Sequence, residues 1–321
     1  MAKAFDDFKF FENEHATFLD LGDYASDVDN EIIKGFKMSK RLRPLFTWYG
    51  SKTLVAKWIV SFFPTRGVAR YIEPFCGSAV IFLHLPVKYP VEVLNDINGS
   101  LITFFRCLQD RQVFNELCHR LIWTMYSRAE YLKAMEILKN ADKHNQVDVA
   151  WAFYTSHCFS FLGKIQVPGG WSRAITSVIK GAAENCVKWQ YRRKMLVELH
   201  KRFSFVQFDN RDAIEVIKYW DRPDSLFYLD PPYVLSSRRD KKPAYQFEFS
   251  EDQHRQLVET LLAVRGKVVL SGYENEIYKQ LEDNGWHKFK RAAPLTAARK
   301  TTVSSKAKKI ETLWLNFVPF K

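Results

Sequence analysis

Two consecutive prolines, Pro231 and Pro232, follow directly on the apolar run Ser225-Leu-Phe-Tyr-Leu229. Proline has no N–H to donate to a ladder and fixes its own φ, so a chain running through a sheet must leave it here. Residues 226–229 therefore read as a buried strand, and Asp230-Pro231-Pro232-Tyr233 as a stiff loop at its C-terminal end. Such a loop holds the Asp230 carboxylate and the carbonyls flanking Pro231 as fixed acceptors, with the Tyr233 ring alongside. The exocyclic amine of a nucleobase is a poor nucleophile because its lone pair is delocalised into the ring. Two acceptors pulling on its N–H bonds would localise that pair, and an aromatic ring would hold the extruded base by stacking. Asp-Pro-Pro is also ordinary turn chemistry, so the loop alone fits a plain strand end equally well.

The rest of the chain supplies a setting. Tyr71-Ile-Glu73-Pro-Phe75-Cys-Gly77-Ser78 reads as a strand breaking into a glycine turn, followed by a helix over residues 79–85. Residues 91–94 form a second strand ahead of Asn95-Asp96, and a helix opens over 101–108. Further strands are predicted over 203–208, 225–229, 267–271 and 311–317, with helices over 54–63 and 251–264. Alternating strands and helices imply an α/β chain with a mainly parallel sheet covered on both faces, whose ligands bind outside the C-terminal strand ends. Residues 111–202 carry longer helical periodicity, many aromatics and the loop Gln166-Val-Pro-Gly-Gly-Trp-Ser-Arg173, and read as an inserted domain.

Net charge narrows the partners. The 321 residues carry +12 overall, yet residues 1–31 hold nine acidic and two basic side chains, so the remaining 290 carry +19. A body that basic attracts polyanions, nucleic acid foremost. The acidic arm, residues 1–40, contains Phe5, Phe8, Phe10, Phe11, Phe18 and Tyr24 and suits either docking on that body or a solvated tail. No apolar run approaches the roughly 20 residues of a spanning helix, and the N-terminus does not resemble a signal peptide, so a cytoplasmic chain is expected. Five cysteines (Cys76, Cys107, Cys118, Cys158 and Cys186), widely spaced, fit neither a disulfide framework nor a zinc site and read as reduced packing residues. The eight histidines show no metal-binding spacing, so no metal is expected. No phosphate-cradling P-loop occurs, which removes an ATP-driven motor.

Single motifs remain ambiguous. Gly77 lets a backbone approach a ligand closely or merely joins strand to helix. Asp96 suits two ribose hydroxyls or a helix cap; Asp212 suits an adenine amine at the rim of the sheet or the N-cap of the next helix. Taken in order, Phe46-Thr-Trp48-Tyr-Gly-Ser-Lys52, the Glu73 to Ser78 turn, Leu94-Asn-Asp96, Asp230-Pro-Pro-Tyr233, Leu270-Ser-Gly-Tyr273 and the ending Glu311-Thr-Leu-Trp-Leu-Asn-Phe317 resemble the Dam-type adenine-N6 DNA methyltransferases. The resemblance covers about residues 45–110 and 203–317. It implies a Rossmann-like, S-adenosylmethionine-dependent catalytic domain over 41–110 and 203–321, with a target-recognition domain inserted at 111–202. It also implies Trp48, Lys52, Glu73, Phe75, Gly77, Asp96, Asp212 and Asp230 as cofactor contacts, and Asp230, Pro231, Pro232 and Tyr233 as the catalytic loop. Two positions depart from the family pattern: Ala79 stands where a second glycine is usual, and Ser51 where the first motif usually has glycine.

The implied partner is double-stranded DNA, in a bacterial or phage-infected cell and in the setting of a restriction system or of phage or host DNA. Candidate DNA contacts are Arg192 and Arg193 in the basic stretch 188–202, and Arg238, Arg239, Lys241 and Lys242 just after the catalytic loop. Residues 288–309 add eight basic side chains and no acidic one. Trp171 suits a wedge into DNA or a cover for its own loop. Competing readings are an N4-cytosine DNA or adenine RNA methyltransferase and a catalytically silent DNA-binding relative.

Overall fold

A computed structural model of the protein describes residues 45–161, 163, 170–238, 246–293 and 309–319. The acidic arm, the basic linker behind it, Arg239, Lys241, Lys242 and the middle of the basic stretch 288–309 lie outside the described residues.

The described strands are β1 (Arg70–Glu73), β2 (Val91–Asn95), β3 (Val178–Ile179), β4 (Ala182–Ala183), β5 (Gln207–Asp209), β6 (Ser225–Leu229), β7 (Lys267–Gly272), β8 (His287–Ala293) and β9 (Lys309–Leu315). Seven form one sheet in the order β5-β2-β1-β6-β7-β9-β8, parallel from β5 to β7, with β9 antiparallel to both β7 and β8. β3 and β4 make a separate hairpin. The sheet departs from β1 in opposite directions, toward β2 and β5 on one side and toward β6 and β7 on the other. That reversal opens a crevice at the C-terminal ends of β1 and β6, where open α/β sheets take their ligands. Ile72 and Phe227 at the ends of the β1–β6 register bring the glycine turn and the double-proline loop to the two lips of this crevice.

Strand alternation divides the core. Tyr71, Leu226, Tyr228 and Val269 pack on one face, while Ile72, Phe227, Leu229, Val268 and Leu270 pack on the other. Every residue of β6 is buried, as expected of a central strand covered twice.

The described helices are α1 (Ala56–Val60), α2 (Gly99–Cys107), α3 (Arg111–Ile122), α4 (Arg128–Lys139), α5 (Gln146–Phe159), α6 (Glu184–Lys194), α7 (Leu196–Phe203), α8 (Ala213–Trp220), α9 (Glu251–Ala263) and α10 (Glu276–Asp283). Polar N-caps start most of them: Asn98, Asp110, Ser127, Asn145, Asp212, Ser250 and Asn275 each accept a backbone N–H of the first turn. The helical stretch 111–202 shares one core with the sheet. Tyr154 of α5 stacks on Phe104 of α2 at 5.1 Å, and Phe153 meets Phe46 edge-on at 5.3 Å.

Three local expectations fail for local reasons. Residues 79–85 form no α-helix but a single 3-10 turn, Phe82–His84, because Ala79 is left-handed (φ +52°) and Pro86 ends the run. The predicted strand over 203–208 shrinks to Gln207–Asp209, since Phe203 closes α7 and its carbonyl accepts from Gln109 Nε2 at 3.0 Å. The helix predicted over 54–63 is one short piece, Ala56–Val60. Four cysteines are free and buried as packing residues, whereas Cys186 is exposed. Among the described residues no helix is long and apolar enough to cross a membrane.

Candidate active site

The crevice contains a cavity of about 690 Å³, within the size range of small-molecule sites. Its wall includes Trp48, Lys52, Glu73, Phe75, Gly77, Asp96, Asp212 and Asp230, so eight residues far apart in sequence line one space.

The glycine turn is held from both sides. Gly77 has φ +46°, and a Cβ there would lie 2.6 Å from Trp48 Nε1, so only glycine permits the tryptophan to close on the turn. The Gly77 N–H donates to Asp96 Oδ2 and the Asn98 N–H to Asp96 Oδ1, each at 3.0 Å. The helix cap is Asn98, not Asp96; Asp96 ties the first strand's turn to the second strand's end. Burial raises the Asp96 pKa, and the two N–H donors oppose that rise. Each oxygen keeps acceptor capacity for a hydroxyl. Asp212 caps α8 through Ile214 N–H at 2.9 Å and still faces the cavity. Ala79 keeps the left-handed backbone that glycine adopts readily, so the turn retains its shape despite the larger residue.

Below this turn, Glu73 is buried and accepts from the Tyr71 hydroxyl at 2.5 Å. Burial pushes its pKa up to about 8 against the pull of that hydrogen bond, so its carboxyl is protonated at neutral pH. The wall also carries Ser78, whose Oγ is buried with no hydrogen-bond partner among the described residues.

Across the crevice, Lys52 Nζ sits 2.7 Å from both Asp230 oxygens, 3.8 Å from Glu311 Oε1 and 4.7 Å from the centroid of the Tyr233 ring. Burial lowers the Lys52 pKa, but Asp230 and Glu311 outweigh it and the net shift is upward. Burial lifts Asp230 to about 6, with Lys52 opposing and Glu311 adding to the rise. The loop is pinned at three further points. The Tyr233 hydroxyl donates to Glu311 Oε1 at 2.6 Å; His254 Nε2 donates to the Pro232 carbonyl at 3.1 Å; and Arg238 Nε donates to the Tyr233 carbonyl at 2.7 Å while its guanidinium pairs with Glu248.

The family model of the D12 class N6 adenine-specific DNA methyltransferases matches residues 48–293, more than half of the chain. The chain belongs to this family. It is 27% identical over 270 residues to the DNA N-6-adenine-methyltransferase of Escherichia phage P1, covering 81% of this chain and 33% of that protein. It is 24% identical over 196 residues to the type II methyltransferase M.CviBI of Paramecium bursaria Chlorella virus NC1A, covering 60% of this chain and 69% of that one. It is 22% identical over 240 residues to the type II methyltransferase M.MjaIII of Methanocaldococcus jannaschii, covering 67% and 78%. The chain thus spans about a third of the length of the phage P1 relative.

In this methyltransferase fold the sequence-predicted residues separate by surroundings. Pro231 and Tyr233 are buried behind Asp230 and Pro232, and only the latter two line the cavity. Lys52, expected at the cofactor, sits on the Asp230 carboxylate. Arg192 donates to the Cys158 carbonyl and to Thr47 Oγ1, both at 2.9 Å, and Arg193 binds the Leu121 and Ile122 carbonyls at the end of α3. Arg192 and Arg238 direct their guanidinium donors into the protein, and Arg193 also donates to the Gln190 side chain in an exposed hydrogen bond. Trp171 packs against Tyr126 at 6.2 Å and bridges to Ser160. Of the basic run after Trp286, Lys288 and Lys290 pair with Glu274, and Lys288 also pairs with Glu282.

Three site residues were given no role by the sequence, although Glu311 opens the motif Glu311 to Phe317. Glu311 interrupts an apolar strand, and a buried carboxylate there is the one signal the sequence offered. His254 lies on the apolar face of α9, and His157, stacked on Trp48 at 5.2 Å, on the stretch of α5 that is buried from Val149 to Phe159. Burial lowers the pKa of both histidines to about 4, so both are neutral.

Proposed function

We propose that the chain transfers a methyl group from S-adenosylmethionine to the N6 amine of an adenine flipped out of duplex DNA. The observation that carries this reading is the common wall shared by Asp230 and the Gly77–Asp96 turn, which puts an amine acceptor and a nucleoside cradle on one cavity.

The residues present suit the cofactor. Asp96 offers acceptor sites to ribose hydroxyls, the Trp48-covered glycine turn allows close backbone approach, and the buried Ser78 Oγ supplies an unused hydroxyl. When bound, S-adenosylmethionine supplies a methyl on a cationic sulfonium, so the C–S bond breaks as the N–C bond forms and no covalent enzyme intermediate is needed. Asp230 and a main-chain carbonyl of the proline turn accept the two amine N–H bonds, concentrating the lone pair on nitrogen. Even at about 6, Asp230 is too weak a base to deprotonate a neutral aryl amine, so it acts as an acceptor first and takes up or relays the proton only as charge develops.

Duplex binding is assigned to the exposed surface of the 111–202 stretch. Trp123 and Met125 are each 74% exposed, and Ile175 and Val178 lie open, Val178 within the β3–β4 hairpin, whose tip is Lys180-Gly181. Large exposed apolar side chains in a basic chain favour an interaction surface. Arg239, Lys241 and Lys242 remain candidates for the phosphates of the flipped nucleotide.

The test is to incubate the protein with labelled cofactor and unmodified DNA, or with RNA, and digest the product to nucleosides. Label in N6-methyladenine from DNA is the expected result; label in N4-methylcytosine, label from RNA alone, or cofactor binding without transfer would each overturn it. Mapping modified positions on a genome-sized DNA then gives the target site.

A further inference from the structure

Lys52 stands where the substrate's amine would have to stand. Its ammonium lies astride the Asp230 carboxylate, 2.7 Å from each oxygen, and over the Tyr233 ring at 4.7 Å. An amino group bound by Asp230 and covered by Tyr233 needs that same volume, and both groups present N–H donors to the same acceptor. Base entry must therefore displace Lys52. The lysine is buried, and an ammonium left in the interior without a counter-charge is strongly destabilising. A second carboxylate waits 3.8 Å away: Glu311, itself buried and fixed in place by the hydroxyls of Tyr233 and Ser271.

Resting on the methyl-transfer reading above, we propose that Lys52 holds the amine subsite of the empty enzyme and passes to Glu311 when the target base enters. Glu311 is then a positioning residue with two tasks. It receives the displaced ammonium, and it keeps the Tyr233 ring in register through the hydroxyl it binds. The same movement leaves one Asp230 oxygen open to the incoming amine while the pocket's total charge stays constant.

The test is a double-mutant cycle read by single-turnover methyl transfer to a duplex carrying the mapped site. Glu311→Gln keeps an acceptor for Tyr233 and Ser271 but removes the counter-charge. It is expected to slow transfer about tenfold or more, with cofactor affinity within about twofold of the parent. In a Lys52→Met background there is no ammonium to receive, so the Glu311→Gln penalty should all but vanish; non-additivity of this kind is the signature of coupled sites. An equal penalty in both backgrounds would reduce Glu311 to a plain anchor for Tyr233 and overturn the handover, as would a Glu311→Gln enzyme with parental rate. Should either variant fail to fold, a structure of the unaltered protein with a bound duplex decides. Lys52 on Glu311, with the amine on Asp230, supports the proposal; Lys52 still astride both Asp230 oxygens beside a seated base overturns it. If the unaltered protein transfers no methyl to DNA, the functional reading itself has failed, which is a separate outcome.

Discussion

His254 donates through Nε2 to the Pro232 carbonyl at 3.1 Å and accepts at Nδ1 from the Tyr278 hydroxyl at 2.8 Å. A carbonyl can only accept, so these partners fix the tautomer, and a neutral imidazole braces the proline turn from behind. His254→Phe preserves ring volume and leaves both partners buried and unpaired. Two such groups cost about 2–4 kcal/mol in stability, which denaturant unfolding would measure. Unchanged stability would show that the turn is stiff without the brace.

The acceptor role of Asp230 predicts a larger effect on turnover than on binding. Asp230→Ala should lower methyl transfer at least about a hundredfold, comparable with loss of an oxyanion-hole donor. Asp230→Asn is the finer probe, since its amide presents a donor where an acceptor is needed, and it also removes the charge facing Lys52. Near-parental turnover in folded Asp230→Asn would sink the assignment.

Protonation of Asp230 removes the carboxylate acceptor. With its pKa lifted to about 6, the single-turnover rate should fall as pH drops through about 6 and level off above it. A rate flat from pH 5 to 8 would exclude Asp230 ionisation from the rate-determining step.

Glu73 gives a stability profile of opposite sense. Its folded pKa, about 8, lies above the ordinary 4.5, so the stability it contributes is full below about 4.5 and lost as pH rises through 8. Glu73→Gln keeps an acceptor for Tyr71 and removes the ionisation. Relative to the parent its stability should rise with pH across this window, by about 1.4 kcal/mol for each pH step of one and by a few kcal/mol in all. Parallel melting curves from pH 5 to 8 would refute this.

What the sequence made legible was whatever chain geometry forces locally. The double proline marked the end of β6, and Ser225–Leu229 forms the strand expected there. Gly77 marked a turn after β1 but left its purpose open, and only the packed fold shows that Trp48 leaves no room for a side chain there. Partnerships across the fold were not legible: nothing local to Lys52 says that its ammonium meets a carboxylate 178 positions away, or that Glu311 will join them. The internal partners of the basic residues were hidden for the same reason. Arg192 and Arg193 count as surface charge in composition, yet each satisfies backbone carbonyls that only the packed helices bring within reach. The strand at 203–208 was misplaced because the aromatic-rich run Phe203-Ser-Phe-Val-Gln-Phe208 suits a strand, whereas the chain uses Phe203 to close a helix and leaves Phe205 exposed.

Asp96 ties the glycine turn to the end of β2, and on the proposed function its removal should be felt twice. Asp96→Ala deletes a charge-assisted acceptor for two hydroxyls, a loss of roughly 1.5–3 kcal/mol in cofactor binding by calorimetry. It also frees the Gly77 and Asn98 N–H groups, so the glycine turn loosens against Trp48 and stability falls by about 1–2 kcal/mol. Asp96→Asn separates the two effects. Its amide oxygen can keep one N–H, and its nitrogen faces the other as a donor against a donor, so much of the binding loss should remain while part of the stability returns. Gly77→Ala provides the control, because it clashes with Trp48 without touching a ribose acceptor. Cofactor affinity unchanged in Asp96→Ala, with stability reduced, would confine Asp96 to holding the turn.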